Sequence, residues 1–112
     1  MATPDDLYDQ AVDRIAEGKP DEAIRLYREA LALDPDYIDA WHGLALALAE
    51  TQRFEEAIEV GKKLVELEPD DPLSYTNLSR FYQQMGNITE AESWAAKARV
   101  ADWKQQLKQK PE

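Results

Sequence analysis

The sequence predicts an all-α chain of repeated helix–turn–helix units. Apolar residues recur every three or four positions, as in Trp41, Leu44, Ala45 and Leu48, then Ala57, Ile58, Leu64 and Val65. That spacing marks one buried face on each of two successive amphipathic helices. Residue types also return every 34 positions: Ala23, Ala57 and Ala91; Leu7, Trp41 and Tyr75; Ala11, Ala45 and Ser79; Ala30, Leu64 and Ala98. Helix-ending signals fall between the periodic segments.

The units run over about 4–37, 38–71 and 72–105 within a single domain of residues 1–112. In the first, Gly18 ends the first helix in a left-handed turn. Asp34-Pro35 ends the second, because the residue before proline is driven out of helical geometry. In the second unit, Gln52 occupies the place of that glycine, so the turn departs from the pattern, and Glu68-Pro69 closes the unit. Gly61 stands where the neighbouring units have Tyr27 and Ala95. The space it leaves calls for a large neighbour, with Trp41 or Tyr75 expected to fill it. In the third unit Gly86 ends the first helix, and Thr89-Glu90-Ala91-Glu92 reads as a capping box opening the second. No Pro or Gly follows until beyond Lys110, so one helix is expected from about Thr89 to Lys108, as a basic extension reaching about residue 110. Ala91, Trp94, Ala95 and Ala98 would face the preceding helix. Trp103 and Leu107, four apart, share a face with little of their own chain to rest on, which marks them for self-association. The alternative is a turn near Asp102 that folds Trp103 back against Tyr75 or Phe81.

The strings KPDEAIRLYREALALDPDY and RFEEAIEVGKKLVELEPDD align without a gap, and NITEAESWAAKARVADW follows more loosely. With their 34-residue period, small residues, aromatics and closing prolines in phase, they resemble the tetratricopeptide repeat. The resemblance covers nearly the whole chain and implies an α-α superhelix, a right-handed solenoid of three helix–turn–helix repeats.

Composition removes several classes of function. Cysteine is absent, which excludes disulfides, thiol catalysis and thiolate metal sites. The single histidine, His42, cannot complete a usual zinc site. The acids of Asp34-Pro35-Asp36 and Asp70-Asp71 lack the alternating spacing and central glycine of a calcium loop. No Gly-rich phosphate loop exists, and Ser74, Ser79 and Ser93 have no His/Asp constellation. Neither a metal, a cofactor nor catalysis is expected. No apolar run approaches the roughly 18 residues that span a membrane, and the acidic N-terminus carries no signal pattern, so a cytoplasmic protein is expected. Asn77-Leu78-Ser79 and Asn87-Ile88-Thr89 match the glycosylation pattern by coincidence under that reading. The net charge of −10 argues against nucleic acid and anionic membranes. Residues 97–112 reverse it locally, with five of the 13 Lys/Arg and two of the 23 acids.

What remains is a surface for another polypeptide. The resemblance implies that the first helix of each unit lines a concave groove. The side chains on that face are Asp5, Tyr8, Val12 and Ile15 in the first unit, and Asp39, His42, Leu46 and Ala49 in the second. Leu73, Thr76, Arg80 and Gln83 follow in the third, with Asn77 beside them. The groove is apolar along Tyr8, Val12 and Leu46 and acidic at Asp5 and Asp39, which suits a peptide or helix with apolar anchors and basic flanks. Tyr8, Val12 and Ile15 could equally fill space against the neighbouring helix. A dicarboxylate clamp for acidic chaperone tails would occupy Tyr8, Val12, Gly43, Leu73 and Asn77, and none has the required residue. The acidic body and basic tail also make homo-oligomerisation an alternative.

Overall fold

The computed structural model describes residues 2–109. It contains six α-helices and, among those residues, no strand: α1 (Pro4–Ala16), α2 (Pro20–Leu33), α3 (Ile38–Glu50), α4 (Phe54–Leu67), α5 (Pro72–Met85) and α6 (Ile88–Gln109). The expected tip of the last helix, near residue 110, lies outside the described residues. The chain divides into two compact units, Met1–Val60 and Gly61–Glu112, with the boundary inside α4.

In the first unit α2 packs between α1 and α3. Ala11, Ala23, Ala30, Ala40, Ala45 and Ala57 are completely buried, so the helix backbones approach closely. Tyr27 of α2 lies directly over Gly43 of α3, where an added Cβ would come within 2.7 Å of the phenol oxygen. In the second unit α5 packs along α6. Ser74, Asn77, Leu78 and Phe81 form its buried stripe at helical spacing. Ser79 adds a hydroxyl at a small-residue position and donates to the Ala91 carbonyl at 2.7 Å.

Gly61 is buried, as expected, but Leu78 fills the space rather than Trp41 or Tyr75. A Cβ on Gly61 would lie 2.7 Å from Leu78 Cδ2. The two aromatics are committed elsewhere. The Trp41 indole N–H donates to the Pro35 carbonyl at 2.7 Å, and the Tyr75 hydroxyl to the Pro69 carbonyl at 2.6 Å. The same turn is thus closed twice, by equivalent residues one period apart.

The helix ends follow from local chemistry. Thr3 and Asp6 exchange hydrogen bonds in a capping box at α1, with Pro4 at the first helical position. Asp71 caps α5 by accepting from the Leu73 backbone N–H at 3.0 Å. At α6 the cap is Asn87, which accepts from the Glu90 N–H at 3.2 Å, and not Thr89. Gly86 ends α5 in the left-handed region, at φ 86°, so the next helix starts at once and Thr89 already lies in its first turn. Gln52 adopts φ 64°, matching Gly18 and Gly86. Its turn carries the same hydrogen bond five residues back, Arg53 N–H to the Leu48 carbonyl at 2.8 Å, as Lys19 to Arg14 at 2.8 Å and Asn87 to Tyr82 at 2.9 Å. The turn at Gln52, in the second repeat, therefore departs from the pattern in sequence and keeps it in backbone.

Helix α6 continues without a turn at Asp102, and Trp103 stays 59% exposed. The extension is better supported than the sequence suggests. Gln105 donates to the Asp70 carbonyl at 3.1 Å and Lys108 to the Asp70 carboxylate at 3.0 Å, which ties α6 to the turn between α4 and α5.

Candidate functional site

In the first unit, α1 and α3 carry the expected surface residues. Val12 and Leu46 are 42% and 47% exposed, large values for aliphatic side chains. Asp5 and Asp39 are exposed, while His42 and Ile15 are half-buried. Tyr8 serves both roles that the sequence left open. Its ring packs between Tyr37 (centroids 5.4 Å apart, interplanar angle 27°) and Tyr27 (5.9 Å, 54°), and its remaining surface is accessible.

The sequence reading missed Tyr37 at this face, and missed that Tyr27, buried in the core, supports Tyr8 from behind. Tyr37, in the turn before α3, donates its hydroxyl to Asp5 Oδ1 at 2.8 Å. Burial, that hydrogen bond and the Asp5 charge push its pKa up to about 12. Tyr8 is raised by burial and then by the charges of Asp39 and Asp9. Tyr27 is raised by burial and by its neighbour Tyr8. Each shift favours the neutral phenol. The available signal was compositional: three of the five tyrosines fall in the first 37 residues.

In the second unit α5 presents Leu73, 50% exposed, with Thr76, Arg80 and Gln83 also exposed. Asn77 does not join them, because it is only 4% exposed. It sits on the stripe with Ser74, Leu78 and Phe81, one position round the helix from Thr76, and so belongs to the core side. The first unit's face is apolar and acidic, suited to contact with aliphatic groups and cations. The second unit's face is polar and carries a positive charge.

No helix among the described residues is long and apolar enough to cross a membrane. The tetratricopeptide repeat model matches residues 14–76, and a second model of the same description matches residues 60–93. Among curated relatives, a STIP1 homolog of Dictyostelium discoideum is 37% identical over 68 residues, which is 61% of this chain and 12% of that protein. Among solved structures, MamA superposes with a TM-score of 0.90 at 22% identity, covering 98% of this chain and 60% of that one. YrrB, described as a TPR protein with an unusual peptide-binding site, gives a TM-score of 0.85 at 20% identity, covering 90% of this chain and 52% of that one. The chain thus spans less than two thirds of each of these proteins.

Proposed function

Because the chain belongs to the tetratricopeptide repeat family, we propose that it is a non-catalytic protein–protein interaction module that takes a peptide or helix of a partner on the faces of its first helices. The observation that carries this reading is the exposure of Val12 and Leu46 beside Asp5 and Asp39. Two aliphatic side chains held open next to two carboxylates favour a ligand with apolar anchors and basic flanks. The tyrosine cluster stiffens the floor of that face, because Tyr8 is clamped between two rings. The peptide-binding description of YrrB supports the same class of role.

The test is a titration of the full chain with a fluorescent amphipathic peptide of leucines and lysines. Leu46→Asp is expected to weaken binding about tenfold, the loss of roughly one buried leucine contact, with thermal stability nearly unchanged. Arg80→Glu distinguishes use of the α5 face. Equal loss of binding and stability would make Leu46 a core residue and remove this reading.

Self-association through the end of α6 is a second reading, favoured by Val100, Trp103 and Leu107 at 51%, 59% and 48% exposure. Sedimentation over a concentration series decides it, since Trp103→Ala should abolish any dimer.

A further inference from the structure

The second unit contains a feature that the interaction face does not use. The α6 extension, tied at Asp70 by Gln105 and Lys108, runs beside the turn that precedes α5. Between them lies a cleft of about 280 Å³. Pro69, Tyr75 and Val100 form its walls, Ala101 is buried within it, and Lys97 and Lys104 stand on its α6 side. It shares no residue with the face formed by Leu73, Thr76, Arg80 and Gln83. Its size is at the bottom of the range for small-molecule pockets and suits one or two side chains. Tyr75 cannot swing in to fill it, because its hydroxyl is held by the Pro69 carbonyl and its ring stacks on Trp94 at 6.1 Å.

We propose that this cleft is a second docking site, for an acidic peptide segment of a partner that inserts an aliphatic side chain between flanking carboxylates. Charge complementarity carries the choice. Lys97 and Lys104 belong to the one stretch where this acidic chain turns basic. Lys97 lines the cleft with its ammonium 4.1 Å from the centre of the neighbouring Trp94 ring, a contact that leaves its charge in place. The two lysines are seven residues apart on α6, or about 10 Å along the helix axis. A polyproline-II peptide, rising about 3.1 Å per residue with three residues per turn, nearly covers that distance in three residues and returns the first and fourth side chains to one face. The matching ligand therefore has two acidic residues three positions apart with an aliphatic residue between them. The α1–α3 face favours the opposite charge, so the two sites select different ligands.

The experiment titrates the full chain into a fluorescein-labelled peptide with a leucine bracketed by two glutamates three positions apart, followed by anisotropy. Saturable binding is expected. It should weaken about tenfold in Lys104→Glu, since reversing the charge removes one attraction and adds one repulsion, and weaken again as salt is raised. A peptide with glycine in place of the leucine should bind more weakly. The proposal is overturned by failure of the wild-type chain to bind. Equal binding by Lys104→Glu or by the glycine peptide overturns it as well. Loss caused by Leu46→Asp instead of Lys104→Glu would move the peptide to the α1–α3 face. Binding of phosphatidylserine vesicles that the peptide fails to displace would give the basic surface to lipid.

Discussion

Two helix junctions in this chain solve one packing problem in opposite directions. Where α2 meets α3, the bulk is on the earlier helix, and the Tyr27 ring lies over Gly43. At Gly61 of α4 the bulk comes from the later helix, since Leu78 of α5 fills the space. Tyr27 and Gly61 are equivalent positions of the repeat, but their partners are not, since Gly43 corresponds to Asn77 and Leu78 to Leu44. Both junctions are therefore filled, with a different helix and a different position of the facing helix supplying the bulk in each. The aromatic is dropped at Gly61 where a leucine of the facing helix already fills the space, as close-packed interiors require.

The sharpest way to break this comparison is to remove the knob facing Gly61. Leu78→Ala should cost about 3–5 kcal/mol in urea unfolding, at the upper end for a leucine truncation, because glycine across the contact offers no side chain to collapse into the cavity. A loss below about 1.5 kcal/mol would show that the site collapses and that Gly61 is not the reason for a large residue there. Gly43→Ala should come next, at about 2–3 kcal/mol, since the new methyl meets a buried, rigid ring. Combining it with Tyr27→Leu should recover part of that loss, and simple additivity would mean the two residues do not share the contact. Gly61→Ala should be milder, a loss of about 1 kcal/mol or less. The branched end of Leu78 can turn, and alanine returns up to about 1 kcal/mol of helix propensity. If it costs more than Gly43→Ala, the flexibility argument fails.

Two smaller effects sharpen the contrast between the units. Gln52→Gly should stabilise the chain by about 0.5–1 kcal/mol, because glycine enters the left-handed turn without the Cβ penalty. A destabilised variant would mean that the Gln52 side chain contributes more than its backbone costs. The pH response should localise to the first unit. The folded pKa of Tyr37, about 12, lies above its ordinary value of 10. Its contribution is therefore complete below pH 10 and is lost as pH rises through about 12. Tyr37→Phe should flatten the decline in stability between those values, and an unchanged decline would assign it to other groups.

Much of the fold was legible because the repeat writes its turns in residues with narrow backbone preferences. Gly18, Gly86, Pro35 and Pro69 mark helix ends through local sterics alone, and the six helices follow. What escaped depended on contacts that no local pattern encodes. Asn77 was misplaced because one position on a helix is a rotation of about 100°, enough to exchange surface for core. The Asn87 cap was overlooked because a Thr-x-x-Glu match two residues later fits the same motif. Asp70 binding Gln105 and Lys108 spans at least 35 residues and has no sequence signature. The faces of α1 and α3 were readable as surface, but Tyr37 joined them through a hydrogen bond made 32 residues away and a stack on Tyr8.

The indole N–H of Trp41, held by the Pro35 carbonyl, gives the chain an internal spectroscopic standard. It should exchange slowly with solvent and give an isolated downfield resonance in a nitrogen-edited NMR spectrum. Trp94, under the Lys97 ammonium, should shift when the neighbouring cleft is filled. Trp103, largely in water, should broaden on self-association. One spectrum of three peaks can therefore distinguish a folded first unit, an occupied cleft and a paired α6, with no fluorophore attached and no residue replaced.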